Sequence, residues 1–214
     1  AKSGGDTEAA WNRVKNVQEE TSFQEALRTW LYRTPIHGSI PTDQGDDEVV
    51  LAFIEEYLKK FNGFMDRQCE KLKANMPGSG DSSARFESAK TAAKEFLMAE
   101  DVDESDRPRL RRIRAGLLFI ESYRELPLLA WPRLLLDTVV ELEQLILIWR
   151  NRHARMVERM IGRRVGTGGS SGVDYLDKTG KVRIFVDLWA VRTVMMPKDT
   201  LPELQNATFY GFAQ

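Results

Sequence analysis

Long runs of apolar residues at helical spacing constrain the fold of this chain more than any other feature. Between Val49 and Met65, large apolar residues recur three and four positions apart, which is the spacing of one helix face. A second run starts at Pro132, where proline is tolerated as a first helical residue, and extends to about Arg164. That run predicts one helix of roughly nine turns, at ~3.6 residues per turn. Strands and helices do not alternate, so we predict an all-α fold, a helical bundle, rather than a parallel sheet.

Turn signals divide the rest of the chain into further helices. Residues 1–20 are polar and predict a loosely attached helix, which we separate from a helical domain over residues 21–214. Proline ends helices because it displaces the residue before it from helical geometry, and stretches rich in Gly, Ser and Asn mark loops. On these signals, further helices are predicted at 23–33, 46–74, 84–100 and 107–126, and residues 182–194 are predicted as a helix or a strand.

Composition argues against several classes of function. The formal net charge is −1, so no overall positive field attracts nucleic acid or an anionic membrane. The arginines between positions 107 and 114 follow an acidic run, and we expect them on a salt-bridged, solvent-exposed helix face. The single cysteine, Cys69, allows no internal disulfide and indicates a reducing compartment. The apolar runs fall short of the roughly 20 residues of a membrane-spanning helix.

One of the two histidines, His153, shares a face of the long helix with large apolar residues. We therefore expect its side chain to point inward, toward the core, as a neutral imidazole that is able to bind iron or zinc. No other His, Cys or carboxylate stands at ligand spacing on that face, which favours a single axial ligand to haem over a zinc site. From periodicity alone, a lone inward histidine is more often a hydrogen-bonded core residue than a metal ligand, and both interpretations stay open at this point. The other histidine, His37, lies in a turn and is expected to be exposed.

A glycine-rich loop, GTGGSSG from Gly166 to Gly172, follows the long helix directly. It has neither the lysine of a phosphate-binding loop nor the preceding strand of a dinucleotide fold. Glycine allows close backbone approach, so the loop amides and hydroxyls are able to converge on a charged small molecule. A surface linker has the same composition, and the loop pattern alone leaves both interpretations open.

The order of motifs along the chain resembles the C-terminal half of tryptophan 2,3-dioxygenase, a haem enzyme family. The resemblance covers most of the chain from about Phe23 onward and is most specific between Trp149 and Leu176. The matching segments are WLYRTP at 30–35, WRNRH at 149–153, MVERMIG at 156–162 and GTGGSSG at 166–172.

The resemblance implies a haem-dependent dioxygenase that opens the indole ring of L-tryptophan with dioxygen to give N-formyl-L-kynurenine. It implies that His153 is the proximal haem ligand and that Trp149, one turn away, lies near the haem edge. It also implies that the Thr167 hydroxyl meets the substrate ammonium, while Gly168 and Gly169 close the loop over the substrate. A haem-dependent monooxygenase acting on a substituted indole, and a haem-binding helical protein without turnover, are the alternatives.

The same resemblance carries expectations about partners. The distal histidine, the aromatic wall over the indole and the arginine for the substrate carboxylate belong to the family's N-terminal half, and we do not find them in this sequence. We therefore expect a second polypeptide that carries this half, or its loss by cleavage. The family also implies a cytoplasmic homotetramer, with neither nucleic acid nor membrane as a partner.

Overall fold

The computed structural model describes residues 3–76, 82–164 and 172–211, and the regular secondary structure in these ranges is helical. An isolated bridge between Ile36 and Ser39 is the only β pairing among them, so the prediction of an all-α fold is confirmed. The α-helices are α1 (Ser3–Glu19), α2 (Phe23–Tyr32), α3 (Asp46–Asn75), α4 (Ser82–Met98), α5 (Arg107–Ser122), α6 (Pro127–Ile161), α7 (Gly172–Thr179) and α8 (Val186–Ala190). Short 3₁₀ helices follow at Val191–Val194, Lys198–Thr200 and Ala207–Tyr210.

Helix α5 lies at the centre of the fold, because every residue from Arg112 to Glu121 on it is buried. The end of α2 packs so closely on α5 that only glycine fits at position 116. A Cβ added to Gly116 would lie 2.6 Å from the Leu31 carbonyl oxygen and 2.9 Å from Thr34 Cβ. The WLYRTP segment at 30–35 therefore rests against the middle of the central helix.

Two arginines of α5 contradict the expectation of an exposed, solvated helix face. Arg112 is 2% exposed and pairs with the buried carboxylate of Asp46 at 2.6 Å. Arg114 is 5% exposed and contacts Asp101 at 2.6 Å and Asp187 at 3.0 Å. The expected salt bridges are present, but the expected exposure was wrong for these two arginines. Packed elements surround α5, and carboxylates from distant segments compensate the charges that burial would otherwise penalise.

Helix α6 begins earlier than predicted. Pro127 occupies its first turn, and Leu126 before it is extended, with φ −69° and ψ 135°. Pro132, predicted as the first helical residue, lies inside the helix instead. Because α6 has 35 residues, its two ends contact different parts of the chain. The early start lengthens the helix at the end far from His153.

The two terminal parts of the chain differ in how they pack. The side chains of residues 8–19 of α1 are all exposed, and the boundary predicted at residue 20 stays a prediction. Residues 182–194, predicted as helix or strand, form α8 and a 3₁₀ turn, and both contribute to the core through Leu188, Val191 and Val194.

Within the described ranges, no helix combines the length and the apolar character that crossing a bilayer requires.

Candidate functional site

The apolar face of α6 that carries His153 is turned to solvent and not toward the core. His153 itself is half-buried, and Trp149 is 64% exposed. The prediction that this face points inward is therefore wrong. The strongly exposed apolar residues on the same side of α6, which we call the α6 apolar face, are Leu142, Leu145, Trp149, Met156 and Met160.

The opposite side of α6 is the one that packs onto the rest of the chain. Glu143, expected on the outer side, is 1% exposed. Its carboxylate accepts hydrogen bonds from the backbone N–H of Phe185 at 2.9 Å, from that of Ile184 and from the Trp189 indole N–H. A carboxylate whose oxygens all accept hydrogen bonds is stable inside a protein. The side of α6 that carries Glu143 is therefore able to be buried, although it is less apolar than the side that carries His153.

Sequence reasoning missed Glu143 and Arg150, although a signal for both exists. Leu129, Leu136, Glu143 and Arg150 are spaced seven residues apart, which puts them on one side of a helix. Arg150 donates from Nη1 to the Val182 carbonyl at 2.9 Å. This second row of residues, spaced seven apart, lies on the buried side of α6. A charged residue at the same spacing as buried leucines is therefore a candidate for a contact with the core.

Trp149 and His153 form a stacked pair one helical turn apart. Their ring centroids lie 5.5 Å apart and their ring planes differ by 5°. No described residue forms a hydrogen bond with the His153 imidazole. Among the residues that the structure describes, no three His, Cys, Asp or Glu side chains cluster as a metal site would require. The arrangement is a half-buried imidazole, stacked on Trp149, beside an exposed apolar surface.

Ion pairs hold the two segments that flank the glycine-rich loop. Arg163, just beyond the end of α6, contacts Glu158 at 3.0 Å and Asp174 of α7 at 2.9 Å. Arg155 pairs with Asp177, also on α7. These pairs are partly exposed, so each contributes little alone, but together they tie α7 to the end of α6. The predicted substrate residues Thr167, Gly168 and Gly169 lie outside the described residues.

The second histidine, His37, is buried rather than exposed as expected. It is 8% exposed, and its φ of +52° places it in the left-handed region. Its Nδ1 accepts a hydrogen bond from the Gln205 backbone N–H at 3.2 Å, and its ring meets Phe53 and Phe119 edge to face. Burial lowers the pKa of the imidazole. His37 therefore anchors the C-terminal segment to the core, a long-range contact that its turn sequence does not indicate.

Comparison with known proteins supports the resemblance seen in the motifs. The sequence model of the family described as tryptophan 2,3-dioxygenase matches residues 5–195. The chain is 46% identical to tryptophan 2,3-dioxygenase of Sorangium cellulosum, in an alignment covering 97% of the chain and 51% of that relative. It is 44% identical to a tryptophan 2,3-dioxygenase-like protein of Xanthomonas campestris, covering 98% of the chain and 78% of that relative. Identity to tryptophan 2,3-dioxygenase of Dictyostelium discoideum is 28%, over 89% of the chain and 48% of that relative.

The chain thus spans about half the length of the Sorangium and Dictyostelium relatives and a larger share of the Xanthomonas one. These alignments give no support to a second polypeptide, and that expectation stays a prediction.

Proposed function

Because this chain belongs to the tryptophan 2,3-dioxygenase family, we propose that it takes part in the haem-dependent opening of the indole ring of L-tryptophan by dioxygen, which yields N-formyl-L-kynurenine. The chain would supply the proximal haem ligand and the loop that closes over the substrate. The observation that carries the proposal is the His153 imidazole, which has no hydrogen-bond partner among the described residues and lies beside the α6 apolar face.

The residues around His153 fit a haem group. An imidazole is a common protein ligand of haem iron, and the porphyrin packs against apolar surface; α6 offers both on one side. Trp149, Met156 and Met160 are 64%, 52% and 76% exposed, so covering them removes apolar area from water. Each square ångström covered stabilises the complex by about 25 cal/mol.

Each of these residues has a separate role in the proposal. Haem, when bound, supplies the redox-active iron that this oxygenation requires. A ring nitrogen of His153 holds that iron, and the stack with Trp149 restrains the plane of the imidazole.

The proposed substrate contacts lie beyond the described residues. Thr167 would orient L-tryptophan by accepting a hydrogen bond from its ammonium group, with Gly168 and Gly169 allowing the loop to approach closely. The ion pairs from Arg163 to Asp174 and from Arg155 to Asp177 support this role, because they hold the segments from which the loop departs. Assembly as a homotetramer stays a prediction from the family resemblance.

Haem titration of the chain and of a His153→Ala variant tests the proposal. We expect the unsubstituted chain to develop a Soret band and the variant to lose it, and we expect free imidazole to restore the band by entering the space that the side chain left. Gln144→Ala, at an exposed position on the same helix, is the matched control and should bind haem normally. Unchanged haem affinity in His153→Ala would remove His153 from the site.

The reaction itself is tested with L-tryptophan and ¹⁸O₂. Two labelled oxygen atoms in N-formyl-L-kynurenine support the dioxygenase, whereas one labelled atom in a hydroxylated indole indicates the monooxygenase. Haem binding without any product would show a helical haem protein that does not turn over.

A further inference from the structure

A cavity lies between the C-terminal end of α5 and the segment that follows α8, and no residue of the α6 apolar face lines it. Its volume is about 540 Å³, within the usual range of small-molecule sites. Residues 121–126, from the end of α5 to the start of α6, line it together with residues between 195 and 204. The proposed dioxygenase function makes no use of this cavity.

A buried carboxylate with a free oxygen forms part of the cavity wall. Glu121 is 2% exposed, and its Oε1 accepts a hydrogen bond from Arg192 Nη2 at 3.0 Å. Its Oε2 is also buried but has no hydrogen-bond partner among the described residues. Native proteins pair almost all buried polar atoms, so an unpaired carboxylate oxygen beside a cavity indicates a missing donor.

The charges around Glu121 leave it incompletely compensated. Within the described ranges, Arg192 is the cation that forms an ion pair with it, and the same guanidinium nitrogen also contacts Asp137 at 3.3 Å. Arg124, which also lines the cavity, acts on Glu121 only as a nearby positive charge. Arg133 approaches Asp137 at 3.4 Å and does not contact Glu121. Burial raises the pKa of Glu121, as expected for a carboxylate with too few donors. A cationic donor at Oε2 would complete the arrangement.

The remaining cavity wall adds one more acceptor and a mostly apolar surface. The Ser122 hydroxyl lies near that of Tyr57 but makes no hydrogen bond of good geometry within the described residues. At the rim of the cavity, Glu125 and Lys198 form an ion pair, so each of these charges is already compensated by the other. The apolar lining residues are Leu126, Met195, Met196, Pro197, Leu201, Pro202 and Leu204.

We propose that this cavity binds a small primary amine with a compact apolar body. Its ammonium group donates hydrogen bonds to Glu121 Oε2 and to the Ser122 hydroxyl, while its body packs against Met195, Met196 and Leu201. An ammonium fits better than a carboxylate ligand, because the unpaired atom of Glu121 is able only to accept when ionised. It also fits better than an alcohol, because an ammonium adds the Coulomb attraction between opposite charges to its hydrogen bond with the carboxylate.

Methionine methyl NMR on the full chain, titrated with 2-phenylethylamine, tests this proposal. The chain has seven methionines, and two of them line the cavity. We expect the Met195 and Met196 methyl signals to shift in a saturable way while those of Met156 and Met160 stay in place. The uncharged analogue 2-phenylethanol should bind about tenfold more weakly, since it lacks the positive charge that the Glu121 carboxylate attracts.

Glu121→Gln should weaken amine binding by about tenfold and alcohol binding by less, because it removes the charge and keeps the shape. Glu125→Gln is the matched control, since it removes the same charge from the rim, where Lys198 already pairs with it. Ser122→Ala, which leaves the pairing with Arg192 intact, should weaken the amine severalfold and serves if the Glu121 variant does not fold. Equal affinity for amine and alcohol, or no loss in either cavity variant, would overturn the proposal. The result does not depend on haem, so it is separable from the test of the proposed function.

Discussion

The buried contacts of Glu143 predict a large loss in the free energy of unfolding when its charge is removed without changing its shape. Its Oε1 accepts from two backbone N–H groups and its Oε2 from the Trp189 indole, at a position that is 1% exposed. In Glu143→Gln, the remaining oxygen keeps two weaker neutral bonds, while the amide NH₂ faces the indole N–H, donor against donor. Hydrogen bonds to charged groups contribute about 1.5–3 kcal/mol, and an unpaired buried donor costs about 1–3 kcal/mol. We therefore expect a loss of roughly 2–5 kcal/mol in the free energy of unfolding.

Urea denaturation of Glu143→Gln, compared with Glu141→Gln, measures this effect. Glu141 is exposed on the same helix, so its amide variant should stay within about 0.5 kcal/mol of the original chain. Hydrogen exchange at the Ile184 and Phe185 amides should accelerate in the Glu143 variant alone. Equal stability of the two variants would refute the claim that Glu143 fastens residues 184–189 to α6.

Two further predictions concern the core around α5. Gly116→Ala should destabilise the chain by about 1–3 kcal/mol, because its new Cβ would press on the Leu31 carbonyl. Gly63→Ala is its control, since the nearest atom there is the end of a flexible arginine side chain at 3.5 Å, and it should stabilise by about 0.5–1 kcal/mol in thermal unfolding. For His37, the folded-state pKa lies below the unfolded value of 6.5, so the unfolded state takes up the proton first. The contribution of His37 to the free energy of unfolding is therefore present above pH 6.5 and lost as the pH falls through the folded-state pKa. His37→Gln should remove that part of the pH dependence of stability. An unchanged dependence of stability on pH in the variant would contradict this assignment.

The helices themselves were largely predictable from the sequence. The apolar spacing of the segment over α3 depends only on the geometry of a single helix, and the buried residues Val50, Phe53, Tyr57 and Phe61 follow it. The family resemblance was also readable, because its motifs are short and local, and the family comparison confirmed that resemblance. The roles proposed for Thr167 and its loop stay predictions.

The contacts between distant segments were not predictable in the same way. Periodicity identified the most apolar side of α6, but it did not identify which side packs against the rest of the chain. Glu143 meets donors about forty residues away, and His37 is fixed by Gln205 from the other end of the chain. Their burial depends on partners that no local pattern names.

The sequence alone therefore determined that the chain is helical, where its helices run and which family it resembles, because these follow from local periodicity and short motifs. Only the tertiary structure decided that the His153 side of α6 faces solvent and that Arg112, Glu143 and His37 lie inside. The physical reason is that a charged or polar side chain becomes a core residue only when distant donors or acceptors satisfy it, and the fold alone brings those partners together.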